Sequence, residues 1–168
     1  MITKEYVLQM AKYNAWENKQ MRDILHGVSA DDLTRDSGAF FGSMFATVNH
    51  ILWGDTMWMS RWCSDIAAPE SSDNHTTLTP DFPTWEDARF RMDGRILIWA
   101  QTLSTTELDK DLEWYSGMTK RNFIRPISLC ITHMFNHQTH HRGQISQMLS
   151  ASGYDTPISD LVLIPENI

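Results

Sequence analysis

"HMFNHQTHHRGQ", His133 to Gln144, holds four of the seven histidines within nine residues. It reads as the middle of a helix running from about Pro126 to about Ser152. Proline suits a first helical position, and Gly153 suits the C′ position, where left-handed backbone ends a helix. Each helical residue advances about 100°, so residues four apart share a face one turn away. His133/His137 and His137/His141 both have that spacing, and His137/His140 are three apart. Two imidazoles at i and i+4 can reach one ion, the device used by HExxH. His133 and His141 are separated by about 12 Å along the axis, so all three do not easily share an ion. Spacing alone leaves the pairing open, and clustered histidines can equally decorate a surface.

Working outward, three more long helices appear. The first spans about Lys4 to His26, with Tyr6, Met10, Tyr13, Met21, Ile24 and Leu25 at helical intervals, Thr3 as N-cap and Gly27 as stop. The second spans roughly Ser43 to Cys63 around Phe45, Val48, Ile51, Leu52, Trp58 and Trp62. The third runs from about Trp85 to Leu103, with Thr84 as its cap. Ser29 with Asp32 caps a short turn, and "STTE" at Ser104 to Glu107 is a capping box. "LEWYSGMTKRNFIRP" reads as a hairpin-like excursion, and the end of the chain as an extended tail. "SDIAAPESSDNHTTLTPDFP" is the longest loop and needs no domain boundary. The expectation is an all-α four-helix bundle, residues 1–168 forming a single domain.

The 168 residues are enough for one core, and a net charge of −7 disfavours nucleic-acid binding, which needs a basic face. The seven Trp and ten Met point chiefly to a large core. Cys63 and Cys130 form no C-x-x-C, and buried free thiols are expected. No signal core or membrane-length apolar run is present, which points to a cytoplasmic protein without a membrane partner. The sequon at Asn74 then carries no meaning.

Two ligands from one helix bind weakly, so a third must come from elsewhere. His26 closes the first helix and His75 lies in the polar loop. His50, among Val48, Ile51 and Leu52, is the best remaining candidate. There is no HExxH and no Glu-x-x-His, which a di-iron carboxylate bundle would need. Three histidines without a carboxylate suit Zn or Ni, with Fe a third choice, and three protein ligands leave one position open.

"NHQTHHRGQ" at Asn136 to Gln144, with "NHI" at Asn49 to Ile51 and "YNAW" at Tyr13 to Trp16, resembles the DinB-like (damage-inducible) family over nearly the whole chain. The resemblance implies a four-helix bundle, often a homodimer, with one divalent metal on three histidines. Carried over by position, the ligands are His50, His137 and His141, with His133 and His140 left as non-ligands. His140 then becomes a packing residue or a support for the ligands. Gln144 shares the face of His137 and could orient a ligand or merely pack. Arg142 suits pairing with a carboxylate, Gly143 a close helix approach, and Asn49 and Asp55 are weaker supporting candidates.

Related families include transferases and isomerases that use low-molecular-weight thiols. The leading expectation is therefore a metal-dependent transferase in which the metal activates such a thiol toward a small electrophilic substrate. The alternatives are a non-enzymatic metal- or small-ligand-binding stress protein and a metal-dependent hydrolase. No residue stands out in the sequence as a general base.

Overall fold

The fold follows from one pattern repeated on four helices. In the computed structural model, which describes residues 2–117 and 119–166, these are α1 (Lys4–Leu25), α3 (Met44–Trp62), α4 (Phe82–Thr102) and α6 (Ile127–Ala151). The buried side of α1 is Val7, Ala11, Asn14, Asn18, Met21 and Leu25. On α4 it includes Trp85, Arg89, Met92, Ile96 and Trp99, and on α6 Ile131, Phe135, Gln138, Arg142, Ile145 and Leu149. Steps of four and three alternate, which keeps one stripe of each helix on a common axis. The main packing partners are α1 with α4, α4 with α3, α3 with α6, and α6 with α1. The chain therefore crosses a diagonal of the bundle between α1 and α3, and another between α4 and α6.

The ends are set by local chemistry. Thr3, Ser29 and Ser43 accept backbone N–H bonds at the starts of α1, α2 (Ala30–Thr34) and α3. The capping box expected at Ser104 is present and opens α5 (Thr105–Leu108). One cap differs from expectation. Asp81, not Thr84, caps α4, its carboxylate accepting the Thr84 N–H at 2.9 Å. Pro83 fits the first turn, where an N–H would have no partner, so the helix begins three residues early. Gly153 closes α6 with φ of +79°, as its position suggested.

The excursion before α6 is a two-stranded antiparallel hairpin, β1 (Asp111–Ser116) and β2 (Arg121–Pro126), with Trp114 opposite Phe123. It is a small addition to a helical fold. Cys63 and Cys130 are free thiols. Among the described residues no helix is long and apolar enough to cross a membrane.

Two buried charge clusters lock the helices in register. On α3, Asp55 accepts from Arg89 of α4 and from Gln138 of α6, both at 2.5 Å. Arg89 also meets Asp93 at 2.8 Å, and Asp93 accepts from Asn18 of α1 at 2.8 Å. Arg142 meets Glu17 at 3.3 Å, and its guanidinium donates to Asn14. Slipping any of these helices by one turn would leave a buried charge unpaired, at several kcal/mol each.

Candidate metal centre

The Asp55–Gln138 bond fixes which turn of α3 faces which turn of α6. The consequence is that His50 and His137 meet. His50 Nε2 lies 3.0 Å from His137 Nε2, and His141 Nε2 lies 3.1 Å from the same atom. The three nitrogens fall within 4.8 Å of one another. His141 is buried, and His50 and His137 are half-buried.

The surroundings decide which way each lone pair points. His141 Nδ1 is 2.7 Å from Gln144 Oε1. An amide oxygen only accepts, so Nδ1 carries the proton and Nε2 presents its lone pair to the cluster. His50 Nδ1 is 2.9 Å from His75 Nδ1. Donation from His50 to His75 likewise leaves the His50 Nε2 lone pair inward. His137 Nε2 then faces two lone pairs and has at most one proton to share. Extra protons do not resolve this. Burial pushes His50 down to about 4 and His137 down to about 3, with the neighbouring imidazoles adding to both shifts. Burial lowers His141 as well. A cation other than a proton is what fits three convergent, neutral imidazoles. Tetrahedral coordination at about 2.0–2.1 Å would put the nitrogens about 3.3 Å apart, close to the separations seen.

Second contacts hold the ligands in place. Asn49 Oδ1 accepts the Thr79 N–H at 2.8 Å and the Thr79 hydroxyl at 2.9 Å, and the Trp53 indole donates to Ser71 O at 3.0 Å. These bonds draw the long polar loop against α3 and carry His75 to His50. No periodicity signals this contact, because His75 is 25 residues from His50 and lies in a loop. The expectation that His75 lies outside the site is corrected. Gly54 is the other residue that sequence reading missed. A Cβ there would sit 3.1 Å from His137 Cε1 and 3.4 Å from its Nδ1. Its lack of a side chain, one turn after His50, is what admits the His137 ring.

Gly143 is corrected in the opposite sense. It is exposed, a Cβ would touch nothing within 4 Å, and it serves no close approach. Arg142 makes the carboxylate pair expected of it, with Glu17. Asp55 supports the site through Gln138 rather than through His50. His133 is exposed, its ring 5.5 Å from Trp58 and 5.9 Å from His137, and its nitrogens do not join the cluster. His140 is also exposed and stacks edge-on against His141 at 4.9 Å. His26 is at the end of α1, 3.7 Å from Glu86.

One aromatic ring covers the cluster. Phe41 lies 4.2 Å from the His50 ring, 5.2 Å from His141 and 5.4 Å from His75, between centroids. It is delivered by a turn with Gly38 and Gly42 at φ of +68° and +80°, closed by Gly42 N–H to Ala39 O at 2.8 Å. A cavity of about 490 Å³ opens beside this turn, bordered by Phe40, His140, Gln144 and Met148.

Known proteins can be set against this geometry. The chain is 24% identical to "Protein DinB" of Bacillus subtilis (strain 168) over 163 residues, 93% of this chain and 91% of that protein. It is similar in fold to the crystal structure of a DinB-like protein from Bacillus cereus ATCC 10987, with a TM-score of 0.69 and 18% identity. That match covers 92% of this chain and 95% of the other. The family model described as the DinB family matches residues 1–167. With the bundle, the YNAW anchor for Arg142 and the histidine cluster all in place across that span, the chain belongs to the DinB family.

Proposed function

We propose that His50, His137 and His141 hold one divalent ion, Zn or Ni before Fe, and that the chain is a metal-dependent S-transferase for a low-molecular-weight thiol. The observation that carries this is the convergence of three neutral imidazole nitrogens with at most one proton among them. A bound divalent ion at an open position stabilises a thiolate and so lowers the thiol's pKa. The protein's own groups supply the rest. Gln144 and His75 keep two ligands in the right tautomer, and Phe41 shields the cluster from water on the side of its turn. We assign the electrophile to the cavity by Phe40 and Met148, which meets the site through Gln144. In the transfer a sulfur–carbon bond forms, the leaving group departs with its electron pair, and the thiol proton passes to solvent.

The state of the α3 carboxylate favours this over hydrolysis. Asp55, five residues after His50, is occupied by Arg89 and Gln138, so it is not free to take a proton from water. A thiol starts far more acidic than water, so at such an ion it would need a base less than water would. A metal- or ligand-binding stress protein would share the ion but not the turnover.

The test is elemental analysis of the untagged protein, followed by a screen of the loaded protein with several thiols and a reactive electrophile. About one ion per chain and thiol-dependent turnover are expected. Absence of the ion, with no uptake on reconstitution, would sink the reading. An ion without turnover for any thiol would leave the binding protein.

We also propose that the chain acts as a homodimer. Phe90 and Ile98 are exposed on one side of α4, at 62% and 59%, and Val162 in the tail at 89%. Such side chains suit burial against a second copy. Light scattering at micromolar concentration should report twice the chain mass.

A further inference from the structure

The geometry points to an anion-binding subsite. We propose that Arg61, held against the indoles of Trp58 and Trp114, anchors a carboxylate on the small molecule whose other end reaches the three-histidine cluster. The location of that other end rests on the metal reading above; the anion site itself does not.

Arg61 differs from Arg89, Arg95 and Arg142; of the buried or half-buried arginines only Arg22, which lies over Phe90, likewise lacks an ion pair among the described residues. Arg89 and Arg142 meet carboxylates, and Arg95 meets Asp65. Arg61 is half-buried and has no ion pair among the described residues. Its Cζ lies 4.4 Å from the Trp58 ring centroid and 5.2 Å from that of Trp114. Contact with the indole faces stabilises the cation and fixes its plane, while the N–H edge stays free to bind. A planar edge of parallel donors matches a carboxylate bidentately. Arg121 and Arg125, facing Phe123 from the hairpin, also lack ion pairs among the described residues. Phe123 stacks on Trp114 at 5.2 Å. This end of the molecule thus collects unneutralised guanidinium groups on a chain whose net charge is −7. Burial lowers the Arg61 pKa, the mark of a cation short of counter-charge.

The position relative to the site is also suited to one ligand. His50, Gly54 and Arg61 follow the same face of α3, and Arg61 is about 16 Å beyond His50 along the axis. Side chains on a helix lean toward its N-terminus, so the guanidinium reaches back toward the histidines. A continuous wall joins the two. His137 is 5.9 Å from His133, His133 is 5.5 Å from Trp58, and Arg61 lies over Trp58. A molecule with its reactive sulfur at one end and a carboxylate at the other would lie along that wall.

The experiment uses full-length protein loaded with Co(II) and titrated with ω-mercaptocarboxylates, from mercaptopropionate to mercaptoundecanoate, and with the matching mercaptoalcohols. The thiolate-to-Co(II) absorption reports binding. Longer carboxylates are expected to bind about tenfold tighter than their alcohols, the shortest showing no preference. Arg61→Met, checked for fold by circular dichroism, should remove that preference, and Arg61→Lys should retain only part of it. Equal affinity for acid and alcohol at every length, or a preference that survives Arg61→Met, overturns the proposal. If no thiol changes the spectrum, the thiol reading falls and the subsite is decided without metal. Hexanoate should quench tryptophan fluorescence saturably in the apo protein and not in Arg61→Met. No saturable quenching, or quenching that persists in the variant, overturns the subsite.

Discussion

His137 is the residue on which the site turns, because its Nε2 faces both other nitrogens. Its ring rests against Gly54, so Gly54→Ala should cost ion affinity without unfolding the protein. The added Cβ would press on the ring at 3.1 Å, and the ring must give by a few tenths of an ångström. Competition against a chelator should show affinity down by about tenfold or more, the scale of losses when a ligand's support is disturbed. His75→Ala removes the partner of His50 Nδ1 and should weaken the ion by about 10–100-fold without abolishing it. His133→Ala should keep the ion, since no nitrogen of His133 reaches the cluster. The same chelator competition separates these outcomes. A His75 variant indistinguishable from the parent would mean that the loop contact does not act on the site. An i,i+4 histidine pair and His50 were readable in the sequence from helix periodicity and apolar neighbours, but periodicity left two pairings open and only the family resemblance chose His137 with His141. Gly54 and His75 were not readable. A glycine in a helix looks like a weakness until the opposing ring is known, and a loop histidine has no period to place it.

At the level of elements, the bundle's middle layer is polar. Hydrophobic periodicity located all four long helices but misread the inner side of α1. Tyr6 is exposed at 37%, whereas Asn14, Glu17 and Asn18 are buried. Those polar positions become intelligible only with their partners on α4 and α6, which the sequence of α1 does not contain. The charge network makes two predictions. Asp55→Ala should destabilise the protein by about 3–5 kcal/mol in urea unfolding, because it strips one partner from buried Arg89. Asp93 gives a pH signature. Burial raises it from 3.8 to about 6, with Arg89 and the Asn18 bond pulling the other way. The folded state therefore keeps this proton to higher pH than the unfolded chain does. The stability this contributes is complete below about pH 4 and is lost as pH rises through about 6. The advantage of the parent over Asp93→Asn should shrink by about 1.4 kcal/mol per pH unit across that window. An advantage that is constant or grows with pH would show that Asp93 is ionised throughout.

For the whole molecule, the three-histidine cluster joins α3 to α6, so binding an ion and holding the bundle together are one equilibrium. An ion that binds the folded chain, and not the unfolded one, stabilises it by RT ln(1 + [L]/Kd). At a free concentration about 1,000 times Kd this is about 4 kcal/mol. For a chain of this length each kcal/mol moves the midpoint by about 2–4 °C, so loading should raise Tm by roughly 8–16 °C. Chelation should return the protein to its apo midpoint, not to disorder, because the apolar seam and the Asp55, Asp93 and Glu17 clusters do not depend on the ion. The ligand variants sharpen the test. His137→Ala should melt near the apo parent in the presence or absence of metal, since it removes the nitrogen that both others face. His133→Ala should keep the full metal-dependent rise. Scanning calorimetry of the parent and both variants, each with metal and with chelator, measures this directly. A rise of equal size in His137→Ala would place the ion outside the three-histidine cluster and remove the basis of the thiol chemistry, while leaving the bundle as it stands.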